Sequence, residues 1–242
     1  MDKTKRIVLW SGPRNISTAL MYSFAQRSDT KVFDEPLYGY YLNESNADEY
    51  HPGAKEVLNE METNGQKVID MMMGPHAADV VFFKHMTHHQ LELDRSFMKD
   101  CINVILTRDP REMLTSIAKV IAHPKMSDIG YLAHLDILNE IKTLGQEPIV
   151  LDSKGILKDP QGVLKALCEK VGIPFHQKML SWEPGPRPED GSWAKYWYDN
   201  VHRSSGFSKY IKKDEAFPTN LKPLFEESMP CYEELIIYAI GD

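Results

Sequence analysis

Several classes of protein are excluded by what this chain of 242 residues lacks. It has three cysteines, Cys101, Cys168 and Cys231, which are far apart and form no C-x-x-C pair. Neither a disulfide framework nor a zinc ribbon is therefore expected. No apolar run approaches the roughly 18 residues that span a membrane, and the charged start of the chain lacks the apolar region of a signal peptide. We expect a soluble protein of the cytoplasm with no membrane partner.

Positive charge is also scarce. The chain carries 28 Lys and Arg against 35 Asp and Glu, a formal net charge of −7, so no nucleic-acid partner is expected. A local basic pocket for a small anion is compatible with this balance. The apolar fraction of 42% is ordinary for a globular protein. No internal repeat is present, and the length predicts a single domain over residues 1–242.

Short β-rich runs alternate with amphipathic helical segments along the chain. Strands are predicted at residues 7–10, 31–33, 80–83, 102–106 and 148–151. Helices are predicted at residues 17–26, 111–121, 132–144, 160–172 and 221–240, the last interrupted near Pro230. This alternation predicts an α/β fold with a parallel sheet and helices on both faces. Residues 181–213 hold three of the four tryptophans and predict a long ordered loop over a site.

The first candidate anion site follows the first strand. Residues 8–21 place a strand, a tight loop and a helix in series, which offers backbone N–H groups and a helix N-terminus to an anion. Arg14 adds a fork-shaped cation, and Ser17 and Thr18 add hydroxyl donors. The lysine of the ATP-binding G-x-x-x-x-G-K-[ST] loop is absent. Taken alone, the segment is equally typical of an ordinary strand-to-helix turn with a Ser/Thr cap.

A second candidate site lies at Arg108-Asp109-Pro110, with Ser116 on the helix that follows. Arg108 ends a predicted strand, at the edge where open α/β sheets bind ligands. A structural ion pair between Arg108 and Asp109 is the alternative.

Together the two motifs resemble those of sulfotransferases that use 3′-phosphoadenosine 5′-phosphosulfate. In that family a P-[KR]-S-G-[ST]-[ST]-like loop holds the 5′-phosphosulfate, and residues 13–18 match it. A strand ending in R-[DN]-P, with Ser eight residues after the Arg, holds the 3′-phosphate, as in Arg108 and Ser116. Arg14 and Ile16 depart from the commoner Lys and Gly. The resemblance covers most of residues 6–206.

This resemblance implies a three-layer α/β sandwich of the P-loop NTPase-like sulfotransferase fold. It implies an enzyme that transfers a sulfuryl group from 3′-phosphoadenosine 5′-phosphosulfate, as co-substrate, to a small hydroxyl or amine acceptor without a metal. His202-Arg203 looks like the start of the family's C-terminal loop, although a solvated Arg203 is the alternative. The implied cofactor-binding residues are Arg14, Asn15, Ile16, Ser17, Thr18, Arg108, Ser116 and Arg203.

The catalytic candidates follow two other strands. Lys84 fits the lysine that ends a strand in related sulfotransferases, and His85 and His88 are both candidate bases because the family's usual K-T-H spacing is not kept. Glu35 is a further candidate base, or a turn carboxylate before proline. Each histidine could instead be structural. His85 and His88 also have the spacing of a metal pair, but no third ligand is evident.

Two other functions remain open at this point. A non-catalytic sulfotransferase-like protein would bind the nucleotide without turnover, and a P-loop kinase-like phosphotransferase would use ATP. Aromatic residues at predicted loop positions are candidates for an acceptor pocket, or ordinary packing. They are Tyr38, Tyr40, Tyr41, Trp193, Tyr196, Trp197 and Tyr198. The acceptor and the oligomeric state are not predicted.

Overall fold

A computed structural model describes residues 4–119, 121, 123–212 and 216–241. Lys213, the end of the predicted loop, and the terminal residues of the predicted domain lie outside this range. The described residues form a five-stranded sheet in the order β2-β3-β1-β4-β5, with every neighbouring pair parallel. The strands are β1 (Lys5–Ser11), β2 (Thr30–Asp34), β3 (Val80–Met86), β4 (Ile102–Thr107) and β5 (Ile149–Asp152).

Helices connect and cover these strands. The helices are α1 (Ser17–Ala25), α2 (Tyr38–Glu44), α3 (Ala54–Glu60), α4 (Gly65–Met73), α5 (Pro110–Ile117), α6 (Met126–Ile129), α7 (Tyr131–Thr143), α8 (Ser153–Lys158), α9 (Pro160–Lys170), α10 (Ala194–Trp197), α11 (Asp199–His202) and α12 (Lys222–Ile236). Short 3₁₀ segments occupy Asn46–Glu49, Thr87–Gln90, Ser96–Asp100, Gln177–Leu180 and Thr219–Leu221. No helix of the described chain has the length and apolarity needed to cross a membrane.

The alternation of side chains along each strand builds two cores. Along β1, Val8 and Trp10 pack against α4, α5, α7 and α12, while Ile7 and Leu9 pack against α1, α8 and α9 on the other face. All four side chains are fully buried. A parallel sheet covered on both faces explains why its strands read as continuous apolar runs. The α/β prediction and its three layers are confirmed.

The topology creates a crevice between β1 and β4. These strands are neighbours, yet α1 follows β1 onto one face and α5 follows β4 onto the other. Such a reversal is where open α/β sheets bind ligands, beyond the carboxyl ends of their strands. The two predicted anion motifs therefore meet at one edge of the sheet.

Several predicted bounds differ from the structure. β3 continues to Met86, because Lys84 and His85 pair with Leu9 and Trp10 of β1. α5 ends at Ile117, and α12 runs through Pro230 without the predicted interruption.

Candidate active site

The loop between β1 and α1 is fixed by its own side chains. Asn15 Nδ2 donates to the carbonyl of Leu106 at 2.9 Å, which ties the loop to the end of β4. The backbone of Arg14 is left-handed, with φ at 54°. A non-glycine residue in this region is strained, and such strain clusters at functional sites. α1 then begins at Ser17 with no side chain capping its first N–H groups.

The two predicted anion sites adjoin each other. Arg14 Nε donates to Ser116 Oγ at 3.2 Å, and Arg108 donates to the carbonyl of Arg14 at 2.7 Å. Burial, and then the charge of Arg108, lower the pKa of Arg14. Arg108 also contacts Glu112 at 3.2 Å, whereas Arg14 has no carboxylate partner in the described part of the chain. The pair therefore presents an excess of positive charge, which an anion would neutralise.

Lys84 lies at the centre of a buried ionic cluster. Its Nζ lies 2.7 Å from Asp34, 2.5 Å from Glu35 and 2.6 Å from the Tyr198 hydroxyl. Burial alone would lower the pKa of Lys84, but the carboxylates of Asp34 and Glu35 raise it well above its ordinary value. Lys84 is therefore an ammonium ion, shared between two carboxylates.

Tyr198 joins this cluster from the long loop after residue 181. Its hydroxyl contacts both oxygens of Asp34, at 2.8 and 3.0 Å. Burial, and then Asp34, raise the pKa of this hydroxyl well above its ordinary value. The sequence indicated Tyr198 only as an acceptor-pocket aromatic, and it singled out Glu35 rather than its neighbour Asp34. The signal for Asp34 was its place beside Glu35, at the carboxyl end of a strand.

The surroundings of Glu35 change the pKa of its carboxyl group. Its backbone is also left-handed, with φ at 48°. Burial raises its pKa, although the charge of Lys84 opposes this effect. One carboxylate oxygen lies 3.8 Å from His89 Nδ1. A buried carboxylate with a raised pKa is a better proton acceptor than an exposed one.

The structure separates the two predicted histidines. His85 is fully buried on the α7 face of the sheet, where its ring stacks on Trp10 at 5.2 Å. Because successive residues of a strand face opposite sides, Lys84 faces the crevice and His85 does not. His88 lies beyond β3 and lines the cleft. Burial lowers the pKa of His85 to about 3 and that of His88 to about 4.

One cleft of about 630 Å³ unites most of the predicted site. Its lining includes Glu35, Lys84 and His88 with the cofactor-binding candidates Arg14, Asn15, Ile16, Ser17, Thr18, Arg108 and Ser116. We call one part of its lining the aromatic end, formed by Tyr38, Tyr41, Tyr50, His51, His88, Trp193 and Trp197. A second cleft of about 460 Å³ along β2 contains none of the sequence-predicted residues.

Besides His85, three predicted residues lie away from the cleft. Arg203 is 65% exposed and pairs with Asp199 at 2.5 Å, and neither Tyr40 nor Tyr196 is part of the lining. In the described part of the chain, no group of three or more His, Cys, Asp or Glu side chains could hold a metal ion.

Residues 5–237 match the model of the sulfotransferase domain family. The chain belongs to this family. The match spans both anion motifs, Glu35, Lys84 and Tyr198. The resemblance seen in the sequence is therefore confirmed over nearly the whole chain.

Solved sulfotransferase structures share the fold of the domain. The sulfotransferase domain from the curacin biosynthetic pathway aligns with a TM-score of 0.59 and 16% identity, covering 93% of this chain and 97% of that one. The sulfotransferase domain from the olefin synthase of Synechococcus PCC 7002 aligns with a TM-score of 0.58 and 14% identity, covering 94% of this chain and 95% of that one. A sulfotransferase from Alicyclobacillus acidocaldarius aligns with a TM-score of 0.55 and 10% identity, covering 97% of this chain and 95% of that one.

Curated relatives of higher identity come from Arabidopsis thaliana. Branched-chain-amino-acid aminotransferase-like protein 2 is 39% identical over 229 residues, which are 93% of this chain and 40% of that protein. Branched-chain-amino-acid aminotransferase-like protein 1 is 40% identical over 237 residues, 97% of this chain and 42% of that protein. This chain thus spans about two-fifths of the length of these curated relatives.

Proposed function

We propose that the domain transfers a sulfuryl group from 3′-phosphoadenosine 5′-phosphosulfate to a small acceptor bound at the aromatic end of the cleft. The observation that carries this proposal is the joining, in one cleft, of an arginine-rich anion site with a buried lysine–carboxylate cluster. The first suits a polyanionic nucleotide, and the second suits proton transfer and charge stabilisation.

The residues present fit the phosphate groups of this co-substrate. Arg14 and Arg108 lie side by side with one carboxylate, Glu112, near them. The uncapped N–H groups of α1 point to the same edge, and a helix N-terminus favours negative charge. Arg14 with Ser17 and Thr18 would hold the phosphosulfate, and Arg108 with Ser116 would hold the 3′-phosphate. The co-substrate supplies the activated sulfuryl group.

The cluster around Lys84 supplies the remaining chemistry. Glu35 accepts the proton of the acceptor hydroxyl, because its raised pKa and its place in the cleft suit a general base. Lys84 stabilises negative charge that develops on the leaving phosphate oxygen. Asp34 and Tyr198 hold the Lys84 ammonium group in place. His88 is the second candidate base, since its lowered pKa keeps the ring neutral at pH 7.

Calorimetry with adenosine 3′,5′-bisphosphate tests the binding half of the proposal. We expect tenfold to a hundredfold tighter binding than for AMP, because a charge-assisted contact to the second phosphate is worth about 1.5–3 kcal/mol. Arg108→Ala should remove most of this difference. Arg111→Ala is the matched control, since Arg111 is exposed and stacks over Phe217.

Equal affinities for the bisphosphate and AMP would contradict the assignment of Arg108 and Ser116. Sulfuryl transfer is measured separately, with labelled donor and an acceptor panel, in buffer containing EDTA. Activity should persist, because Arg14 and Arg108 supply the positive charge. Activity that is lost in EDTA and restored by magnesium or zinc would contradict the proposed mechanism, and tight nucleotide binding without any turnover would indicate a non-catalytic protein.

A further inference from the structure

The two ends of the cleft differ in charge. Arg14 and Arg108 mark the donor end, and Lys119 follows Ser116 by three residues. The ammonium group of Lys84 is paired with the carboxyl groups of Asp34 and Glu35, so it adds no unpaired positive charge to the cleft. The remaining charged side chain of the lining is the carboxylate of Asp128. Among the described residues of the lining, the unbalanced charge is therefore positive at Arg14 and Arg108 and negative at Asp128.

Asp128 has no counter-ion among the described residues. One of its carboxylate oxygens accepts from the backbone N–H of Lys125 at 2.8 Å, and the other accepts from Ser127 Oγ at 3.3 Å. Both contacts are neutral hydrogen bonds at the start of α6. The carboxylate lies close enough to the aromatic end to oppose the lowering of the pKa of His51 and His88 by burial.

The rings that line the same cleft as Asp128 are uncharged, and Tyr50 among them is open to solvent. Tyr41 lies 5.2 Å from the His88 ring, and Tyr50 lies 5.0 Å from the His51 ring. Burial lowers the pKa of both histidines, so both rings are neutral at pH 7. Tyr50 is 63% exposed, which leaves part of its side chain free for a ligand. Aromatic faces next to an unpaired carboxylate form the environment that binds substituted ammonium groups.

We propose that the acceptor of this domain is a small alcohol that carries an ammonium group, held between Asp128 and the aromatic end. This inference rests on the proposed sulfuryl transfer. The acceptor oxygen forms a bond to sulfur while the bond from sulfur to the bridging oxygen breaks, leaving its electron pair on the phosphate of adenosine 3′,5′-bisphosphate. The hydroxyl proton passes to Glu35. The product is a zwitterionic sulfate ester, whose cationic group stays at the negative end of the cleft.

A matched pair of alcohols tests the charge requirement. Choline and its uncharged isostere 3,3-dimethylbutan-1-ol have the same shape, and binding of each to the bisphosphate-loaded protein is followed by tryptophan fluorescence. We expect choline to bind about fivefold to thirtyfold more tightly, as a cation–π contact in a partly desolvated site permits. Asp128→Asn, which keeps a cap oxygen for α6, and Tyr50→Leu should each reduce that ratio. Asp136→Asn, an exposed change on α7, is the matched control.

Equal binding of the two alcohols, absence of binding by both, or an unchanged ratio in Asp128→Asn would overturn the inference. Affinity for adenosine 3′,5′-bisphosphate is measured on every variant and should stay at the wild-type value. If the bisphosphate binds and the neutral alcohol is sulfated as well as choline, the proposed function stands and this inference fails. If neither nucleotide binding nor sulfuryl transfer is found, the proposed function itself fails.

Discussion

At the scale of single residues, the site depends on one ammonium ion that is shared between two carboxylates. Lys84 and the Asp34 side chain are both 1% exposed, and burying charges is tolerated when they are paired and hydrogen-bonded. Glu35 is the second carboxyl group of this cluster, and burial raises its pKa. In the proposed mechanism, this raised pKa favours uptake of a proton by Glu35 when an acceptor hydroxyl loses one.

The base is the first residue-scale prediction. Glu35→Gln should lower kcat on the order of 10²–10⁴ while affinity for adenosine 3′,5′-bisphosphate stays nearly unchanged, because the base acts mainly in the transition state. His88→Ala should cost less than this. His85→Ala should reduce stability and leave kcat near the wild-type value, since His85 faces the other side of the sheet.

These three variants would be assayed with labelled donor at saturating co-substrate. A large loss in His88→Ala with a small loss in Glu35→Gln would transfer the role of base to His88. If all three variants keep more than about a third of the wild-type kcat, neither Glu35 nor His88 is the base.

Tyr198 is a positioning residue in this scheme, because its hydroxyl contacts Lys84 and Asp34. Tyr198→Phe removes a hydrogen bond to a charged group, which is worth about 1.5–3 kcal/mol. We expect kcat to fall about tenfold or more, with unchanged affinity for the bisphosphate. Tyr196→Phe is the control, since Tyr196 is 46% exposed and lies outside the cleft lining. An unchanged kcat in Tyr198→Phe would exclude the role.

At the scale of secondary-structure elements, side chains alternate along β3, and this alternation decides which face of the sheet Lys84 and His85 each occupy. Lys84 and His85 are neighbours in sequence, and each pairs with β1 within the sheet. Continuation of the strand to Met86 therefore sends them to opposite faces. A strand that ended at Phe83, as predicted, would have allowed both to reach the cleft.

Helix α12 gives an element-scale prediction about stability. Pro230 lies inside the helix, where it lacks the N–H that would bond to the carbonyl of Glu226. Pro230→Ala should raise the free energy of unfolding by about 1–2 kcal/mol, because the restored bond outweighs the stiffening that proline gives the unfolded chain. Pro223→Ala is the control, since proline is favoured in the first helical turn.

The free energy of unfolding of both variants and of the wild type would be measured by urea unfolding, with the same dependence on urea concentration in each. A loss of stability in Pro230→Ala, or a gain of the same size in Pro223→Ala, would contradict the expectation that the missing bond to the carbonyl of Glu226 destabilises α12.

At the scale of the whole molecule, buried histidines make stability depend on pH. Burial lowers the pKa of His85 and His134 to about 3 and that of His88 to about 4, against about 6.5 in the unfolded chain. Above pH 6.5 both states are neutral and stability is unaffected. As the pH falls from 6.5 towards 4, the unfolded chain binds protons that the folded chain excludes, so stability is lost.

At pH 5.5 each such histidine should cost about 1.4 kcal/mol, and the three together about 4 kcal/mol, relative to neutral pH. Urea unfolding across this range measures the loss. His85→Phe should remove about a third of it, whatever its effect on stability at pH 7. Parallel curves for the wild type and His85→Phe would show that folding does not lower the pKa of His85.

The fold and much of the site follow from the sequence itself. Short, continuous apolar runs are typical of strands that are buried on both faces of a sheet. The alternation of these strands with helical segments indicates a parallel sheet. Arg14, Lys84 and Arg108 were predictable because each lies in or just after a strand and bears charge where such strands end. Family resemblance added Ser116, which local pattern alone did not distinguish from an ordinary helix residue.

Tertiary structure decided what local pattern could not reach. The length of β3 is set by its pairing with β1, and this pairing placed His85 in a core and left His88 in the cleft. Tyr198 and Asp34 are 164 residues apart, so that only long-range packing could bring the hydroxyl to the carboxylate. The sequence determines which side chains can carry charge. The distances over which two charges interact are fixed by contacts between segments far apart in the chain.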